Sequence, residues 1–168
     1  MAKINFYTVD KEEKTAVFNA IAAEKGMTPF AVEKDWWVSR TLEIIFQMPI
    51  AQHLVFKGGT SLSKAWKLIN RFSEDIDLAI DKEFFFKSEK GWSKKEITEL
   101  RKEAGIYSTG AFFDELQDEF RKRGFEDLNF KPIEAEDSDQ DPKIIEIHYP
   151  NVIASNSEKD RVLIADFT

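Results

Sequence analysis

The sequence predicts an α+β fold with one mixed sheet. Three observations lead there. The first fifty or so residues read as two capped helices, short apolar runs with strand character follow, and helical stretches interrupt those runs to give the order ααβαβααββ. At 168 residues the chain is most simply one domain, with a helical part at 1–48 and a sheet-containing core at 49–168.

Asp10 to Lys25 reads as a helix, capped by Asp10 and stopped by Gly26. A second helix begins at "TPF", where Thr28 caps and Pro29 takes the first helical position, and it ends before Pro49. Val32, Trp36, Arg40 and Ile44 share one side of it, and Trp37, Val38, Ile45 and Phe46 widen the apolar face. "HLVF" (His53–Phe56) then reads as a short buried strand, "SLSKAWKLI" (Ser61–Ile69) as a helix and "DIDLAI" (Asp75–Ile80) as a second strand. Residues 81–92 read as a loop with an aromatic patch, Phe84 to Phe86, followed by helices over Lys94–Ala104 and Ala111–Arg123. "PIEAEDSDQDP", Pro132 to Pro142, is acidic and proline-bounded and reads as a solvated loop. Strands over Lys143–Tyr149 and Arg161–Phe167 complete the order.

Composition narrows the function. Apolar residues make up 42% of the chain, with 15 Phe and 4 Trp, which supports a packed core, while 33% charge supplies a polar surface. With no cysteine, thiol catalysis, disulfides and thiolate metal sites are excluded, and two histidines do not make a multi-histidine zinc centre. No apolar run approaches a membrane span and the first residues do not resemble a signal peptide, so a cytoplasmic protein is expected. The net charge of −7 argues against a broad surface for nucleic-acid phosphates. The densest basic cluster, Arg121 to Arg123, precedes Gly124, where cations favour a helix C-terminus. Trp36, Trp37 and Trp66 read as core residues rather than stacking platforms, and neither His53 nor His148 has an evident carboxylate partner for nucleophilic work.

The chemistry concentrates in "HLVFKGGTSLSKAWKLINRFSEDIDLAI", His53 to Ile80. Strand residues two apart share a face, so Asp75 and Asp77 project together. Two like charges held side by side are costly without a cation between or beside them. Mg²⁺ takes carboxylate oxygens of this kind and leaves room for substrate phosphates. By itself an Asp-Ile-Asp triplet is read more simply as solvent-facing, paired with Lys or Arg. The upstream glycines shift the balance: Gly58 and Gly59 let backbone amides approach an anion, and Thr60 and Ser61 can cap a following helix whose N-terminus favours phosphate. A phosphate cradle and an acid pair at neighbouring strand ends suit a nucleoside triphosphate activated at its α-phosphate, a reaction in which two metal ions can stabilise the attacking and leaving oxygens.

"FKGGTSLSKAW" followed by "RFSEDIDL" resembles the signature of the AbiEii/AbiGii toxin family within the polymerase-β-like nucleotidyltransferases, and "VEKDWWVSRTLE", Val32 to Glu43, resembles the helix this family places before its glycine motif. The resemblance implies a polymerase-β-like core, a mixed sheet flanked by helices with the N-terminal helices packed on it. It implies a Mg²⁺- or Mn²⁺-dependent enzyme moving a nucleoside monophosphate from an NTP to an acceptor, tRNA or other RNA, as the toxin of a toxin–antitoxin or phage-abortive system with a cognate antitoxin. Carried over, Gly58, Gly59, Thr60 and Ser61 match the nucleotide-holding motif and Asp75 and Asp77 the metal acids; Lys57 and Arg71 lie beside them, either reaching triphosphate oxygens or pairing with acids such as Glu74. Ser73 shapes the turn before the strand, and Lys34 and Asp35 match the family's helix while also reading as an exposed helix face. The third acid is Asp166 in "VLIADFT", with Glu146 in "IIEIHY" as the rival. Relatives continue into a helical C-terminal part that does not follow here, which leaves open a nucleotide- or partner-binding domain without turnover; a protein acceptor is the other alternative.

Overall fold

The computed structural model describes residues 5–68, 75–85, 92–133, 143–154 and 162–167. Arg71, Ser73 and Glu74, and residues 134–142 of the expected acidic loop, lie outside them. The fold is α+β: a five-stranded mixed sheet ordered β1-β2-β5-β4-β3, comprising β1 (Leu54–Lys57), β2 (Asp75–Ile80), β3 (Asn129–Ile133), β4 (Lys143–His148) and β5 (Val162–Phe167). Only β2 and β5 run parallel; the other neighbours are antiparallel.

The first two helices form where their end signals stand. In α1 (Lys11–Lys25) the Asp10 carboxylate accepts the Glu13 amide at 2.9 Å, and Gly26 closes the helix at φ 66°. In α2 (Pro29–Ile45) the Thr28 hydroxyl accepts the Ala31 amide at 3.2 Å with Pro29 in the first turn. A short turn, Gly58–Thr60 (α3), runs into a π-helical turn, Ser61–Ala65. After β2 come α4 (Lys82–Phe85), α5 (Lys94–Thr109) and α6 (Ala111–Lys122).

One face of the sheet carries the core. Ile76, Leu78, Ile145, Ile147 and Leu163 are fully buried against Trp37, Val38, Ile44 and Ile45 of α2 and against Phe112, Leu116 and Phe120 of α6. The α6 residues recur every fourth position, so one stripe of that helix faces the sheet, and each such side chain contributes about 1.5–3 kcal/mol on burial. Trp36 and Trp37 join this packing, Trp37 stacking on Tyr149 with ring centroids 5.2 Å apart. No described helix is long and apolar enough to cross a membrane.

Several elements differ from expectation. "HLVF" is an edge strand with one open face: Leu54 is buried but Val55 is exposed. The helix expected over Ser61–Ile69 stops at Trp66, and Lys67 takes a left-handed conformation (φ 54°) so that the Leu68 amide reaches the Leu62 carbonyl at 2.9 Å. Among the described residues no element covers its apolar side, where Leu62 and Leu68 are exposed, and so short a helix does not persist without one. Trp66 is therefore 69% exposed rather than a core residue. Helix α5 passes through Gly105, which is buried; packing outweighs glycine's low helix propensity there, and a Ser93–Glu96 capping box secures the start. Residues 82–85 are helical because the Asp81 carboxylate accepts the Glu83 amide at 3.0 Å and Phe84 packs between His53 and Tyr107. Strand β3 escaped the sequence because Pro132 argues against a strand, yet an edge strand tolerates proline.

Candidate active site

The second face of the sheet carries the acids among apolar positions such as Val55 and Ile144. Residues opposite one another in a ladder share a face, so Lys57 in β1, Asp77 in β2 and Asp166 in β5 form one line across three strands. The neighbouring line runs Asp75, Ile164, Glu146, Lys131 across β2, β5, β4 and β3. Adjacent strands lie about 4.8 Å apart, so the Asp166 position is one strand spacing from Asp77, whereas Glu146 is two spacings, about 10 Å, from Asp75. Glu146 is also engaged: its carboxylate meets His148 Nε2 at 3.1 Å. That pair gives His148 a carboxylate partner that the sequence did not make evident. Two strand residues of one parity fall side by side on the same face.

Asp75 is exposed and Asp77 half-buried, while the alternating Ile76 and Leu78 are fully buried. The strand thus presents its two acids away from the core because its apolar residues are drawn into it. Gly58 ends β1 with φ 69° and lies against the Asp77 side chain. A Cβ there would fall 1.8 Å from Asp77 Oδ2, 2.5 Å from its Cγ and 2.9 Å from its Cβ. The glycine turn and the acid pair are therefore in direct contact. Gly58→Ala is expected to lose about 1–2 kcal/mol of stability from the left-handed conformation alone, and to push Asp77 aside, since the clash reaches back to a Cβ held by the strand. Chemical denaturation and a crystal structure of the variant measure both effects.

Thr60 and Ser61 lie inside the helical turns and neither caps a helix end, contrary to expectation. Thr60 is fully buried and its hydroxyl donates to the Asp75 backbone carbonyl, binding the glycine turn to the start of β2. Ser61 is buried and Gly59 half-buried. Lys57 faces Asp77 across the β1–β2 ladder. Arg71 lies outside the described residues.

Helix α2 adds a residue not singled out from the sequence, Glu33. Glu33 is 1% exposed, and its two carboxylate oxygens accept the backbone amides of Val152 at 2.7 Å and Ile153 at 3.1 Å, in the segment after β4. Burial raises its carboxyl above the ordinary 4.5, opposed by those two amides and by Lys14 and Lys11. The spacing Glu33, Trp37, Thr41, Ile45 was the available signal, because it puts Glu33 on the buried stripe. Lys34 is 4% exposed, with its ammonium 5.9 Å from the Phe30 ring centre, so it is not on an exposed helix face. Asp35 pairs with Lys64 at 2.6 Å. The basic cluster at the end of α6 is satisfied locally, Arg121 by Asp118 at 3.2 Å and Lys122 by Glu119 at 2.9 Å, with Arg123 also on Glu119.

Among the described residues no group of three His, Asp or Glu side chains stands ready to hold a metal ion. Asp75 and Asp77 project from one side of β2, Asp75 exposed and Asp77 against Gly58, and two hard carboxylates suit a cation that completes its shell with water and phosphate. Residues 40–165 match the family model AbiEii, described as "Nucleotidyl transferase AbiEii toxin, Type IV TA system". The match spans the glycine turn, the acid pair and all five strands up to Ala165, stopping one residue short of Asp166. Curated proteins and solved structures yield no match.

Proposed function

The chain belongs to the AbiEii nucleotidyl transferase toxin family of type IV toxin–antitoxin systems, and from that premise we propose that it moves a nucleoside monophosphate from an NTP to a hydroxyl of an RNA acceptor, such as a tRNA, in a reaction requiring Mg²⁺ or Mn²⁺. One observation carries the reading: Gly58 packs directly on Asp77, within a line of positions Lys57, Asp77 and Asp166 across three neighbouring strands. In this reading Asp75, Asp77 and Asp166 hold the cation. When bound, it neutralises triphosphate charge and the charge that develops on the attacking and leaving oxygens. The acceptor oxygen bonds to the α-phosphorus, the α–β bridging bond breaks, pyrophosphate leaves and the hydroxyl proton passes to solvent. Gly58 lets the turn pack on Asp77 and so sets the backbone that, with Gly59, meets the phosphates; Thr60 and Ser61 fix that turn, and Lys57 and Arg71 supply positive charge to the triphosphate. Asp166 is preferred to Glu146 because it stands one strand from Asp77 and because Glu146 already serves His148.

Two carboxylates hold a hard cation weakly until phosphate oxygens complete its shell. Mg²⁺ or Mn²⁺ is therefore expected to raise the melting temperature only when an NTP is present, by about 5–10 °C at ligand near 100 times its Kd. A thermal-shift series with NTP, metal and chelator checks this, together with incorporation of each labelled NTP into total RNA. Identical melting temperatures in every condition would remove the nucleotide site; label in protein instead of RNA would move the acceptor.

A further inference from the structure

Lys64 lies in the π-helical turn that continues the glycine motif, where a lysine would ordinarily be assigned to a triphosphate. Its ammonium is instead held by α2: it meets Asp35 Oδ1 at 2.6 Å and donates to Ser39 Oγ at 3.0 Å. Asp35 and Ser39 are one turn apart, and the Ser39 hydroxyl donates back to the Asp35 carbonyl at 2.8 Å, which fixes both acceptors on the same side of the helix. The Lys64 side chain is only 22% exposed. We propose that the Asp35–Lys64–Ser39 bridge is the positioning element of the glycine turn, and that Lys64 contacts no phosphate.

The turn needs such a hold. It consists of three residues of α-helix and five of π-helix, it carries exposed Leu62 and Trp66, and it breaks at Lys67. Single π-turns are rare and sit mostly inside α-helices, whereas this one follows only three α-helical residues and no helical turn continues it. At its N-terminal end Thr60 is tied to β2, and Ser63 donates to the Thr60 carbonyl at 3.1 Å; at its C-terminal half the bridge ties it to α2. Helix α2 is in turn fixed to the core by Trp37, Val38, Ile44 and Ile45. The contact that depends on this placement is Gly58 against Asp77, which has no spare space. The bridge stands independently of the reaction, but its catalytic consequence rests on the nucleotidyl-transfer reading.

The test uses the full chain and two readouts. Hydrogen exchange follows the amides of Gly59 to Ala65 in Asp35→Asn, Lys64→Met and the double variant, with Lys64→Arg as the conservative control. Loss of a partly exposed ion pair is expected to speed exchange about fivefold in either single variant, no further in the double, and less in Lys64→Arg. NTP transfer is expected to lose about ten- to hundredfold in kcat/KM, equally in the two singles, as a displaced turn would produce. Unchanged exchange, or exchange altered by one single variant only, overturns the bridge. A raised NTP KM in Lys64→Met with none in Asp35→Asn also overturns it, since that is the behaviour of a phosphate ligand. If the unaltered chain transfers no nucleotide, exchange still decides the bridge, and it is the transfer reading that fails.

Discussion

Asp77→Asn is expected to abolish nucleotide transfer, by at least about 10³-fold, while leaving the fold as stable as before or slightly more so. The activity loss follows from position. Asp77 stands between Lys57 and Asp166 in the ladder and touches Gly58, so in the proposed site it is the acid nearest to both cation and phosphate. Asparagine keeps one oxygen but removes the charge that a hard cation requires. The stability expectation follows from crowding: Asp75, Asp77 and the Asp166 position share one face of two adjacent strands, and removing one like charge relieves repulsion. Asn is close in volume, so Gly58 keeps its contact. Transfer assays beside urea denaturation separate the two effects. A variant that is markedly less stable would make Asp77 a structural ion-pair partner, and a variant with full activity would move the chemistry elsewhere.

Glu33→Ala is expected to cost about 3 kcal/mol of stability, since the Val152 and Ile153 amides lose their acceptors in a buried setting and each unsatisfied group costs about 1–3 kcal/mol. The segment they belong to leads from β4 toward β5, so exchange there should also rise. Glu33→Gln isolates the charge. The folded carboxyl is raised above 4.5, chiefly by burial, so the fold favours its neutral form. The stability linked to this group is thus fully present below about 4.5 and is lost as pH rises through the folded value. Glutamine cannot titrate. The difference in unfolding free energy, unaltered chain minus Gln variant, should therefore fall as pH rises from about 4.5 toward neutrality, measured by denaturation across that range. A difference that grows with pH would mean that the two amide bonds outweigh burial and hold the carboxylate charged.

The sequence by itself determined the ends of the first two helices and the facing of the strand with a clear period. Asp10, Gly26, Thr28 and Pro29 act locally, each on the backbone within a few residues, and stand in the structure where the end signals put them. The alternation of Asp75, Ile76, Asp77 and Leu78 likewise fixed which side of β2 meets the core, because burial of Ile76 and Leu78 leaves the acids no other direction. Tertiary structure decided everything that depends on a partner distant in sequence. Pro132 could sit in a strand because β3 lies at the edge of the sheet, and Trp66 is exposed because no element among the described residues covers its short helix. The same holds for the acids. Asp166 and Glu146 are alike in their apolar strand contexts, and strand order alone sets the Asp166 position beside Asp77 and Glu146 two strands from Asp75. Glu33, Lys34 and Asp35 read as three adjacent charges on a helix. Their separate fates, under two backbone amides, over Phe30 and against Lys64, were set by what packs around α2, because a charge is buried only where the fold supplies its partner.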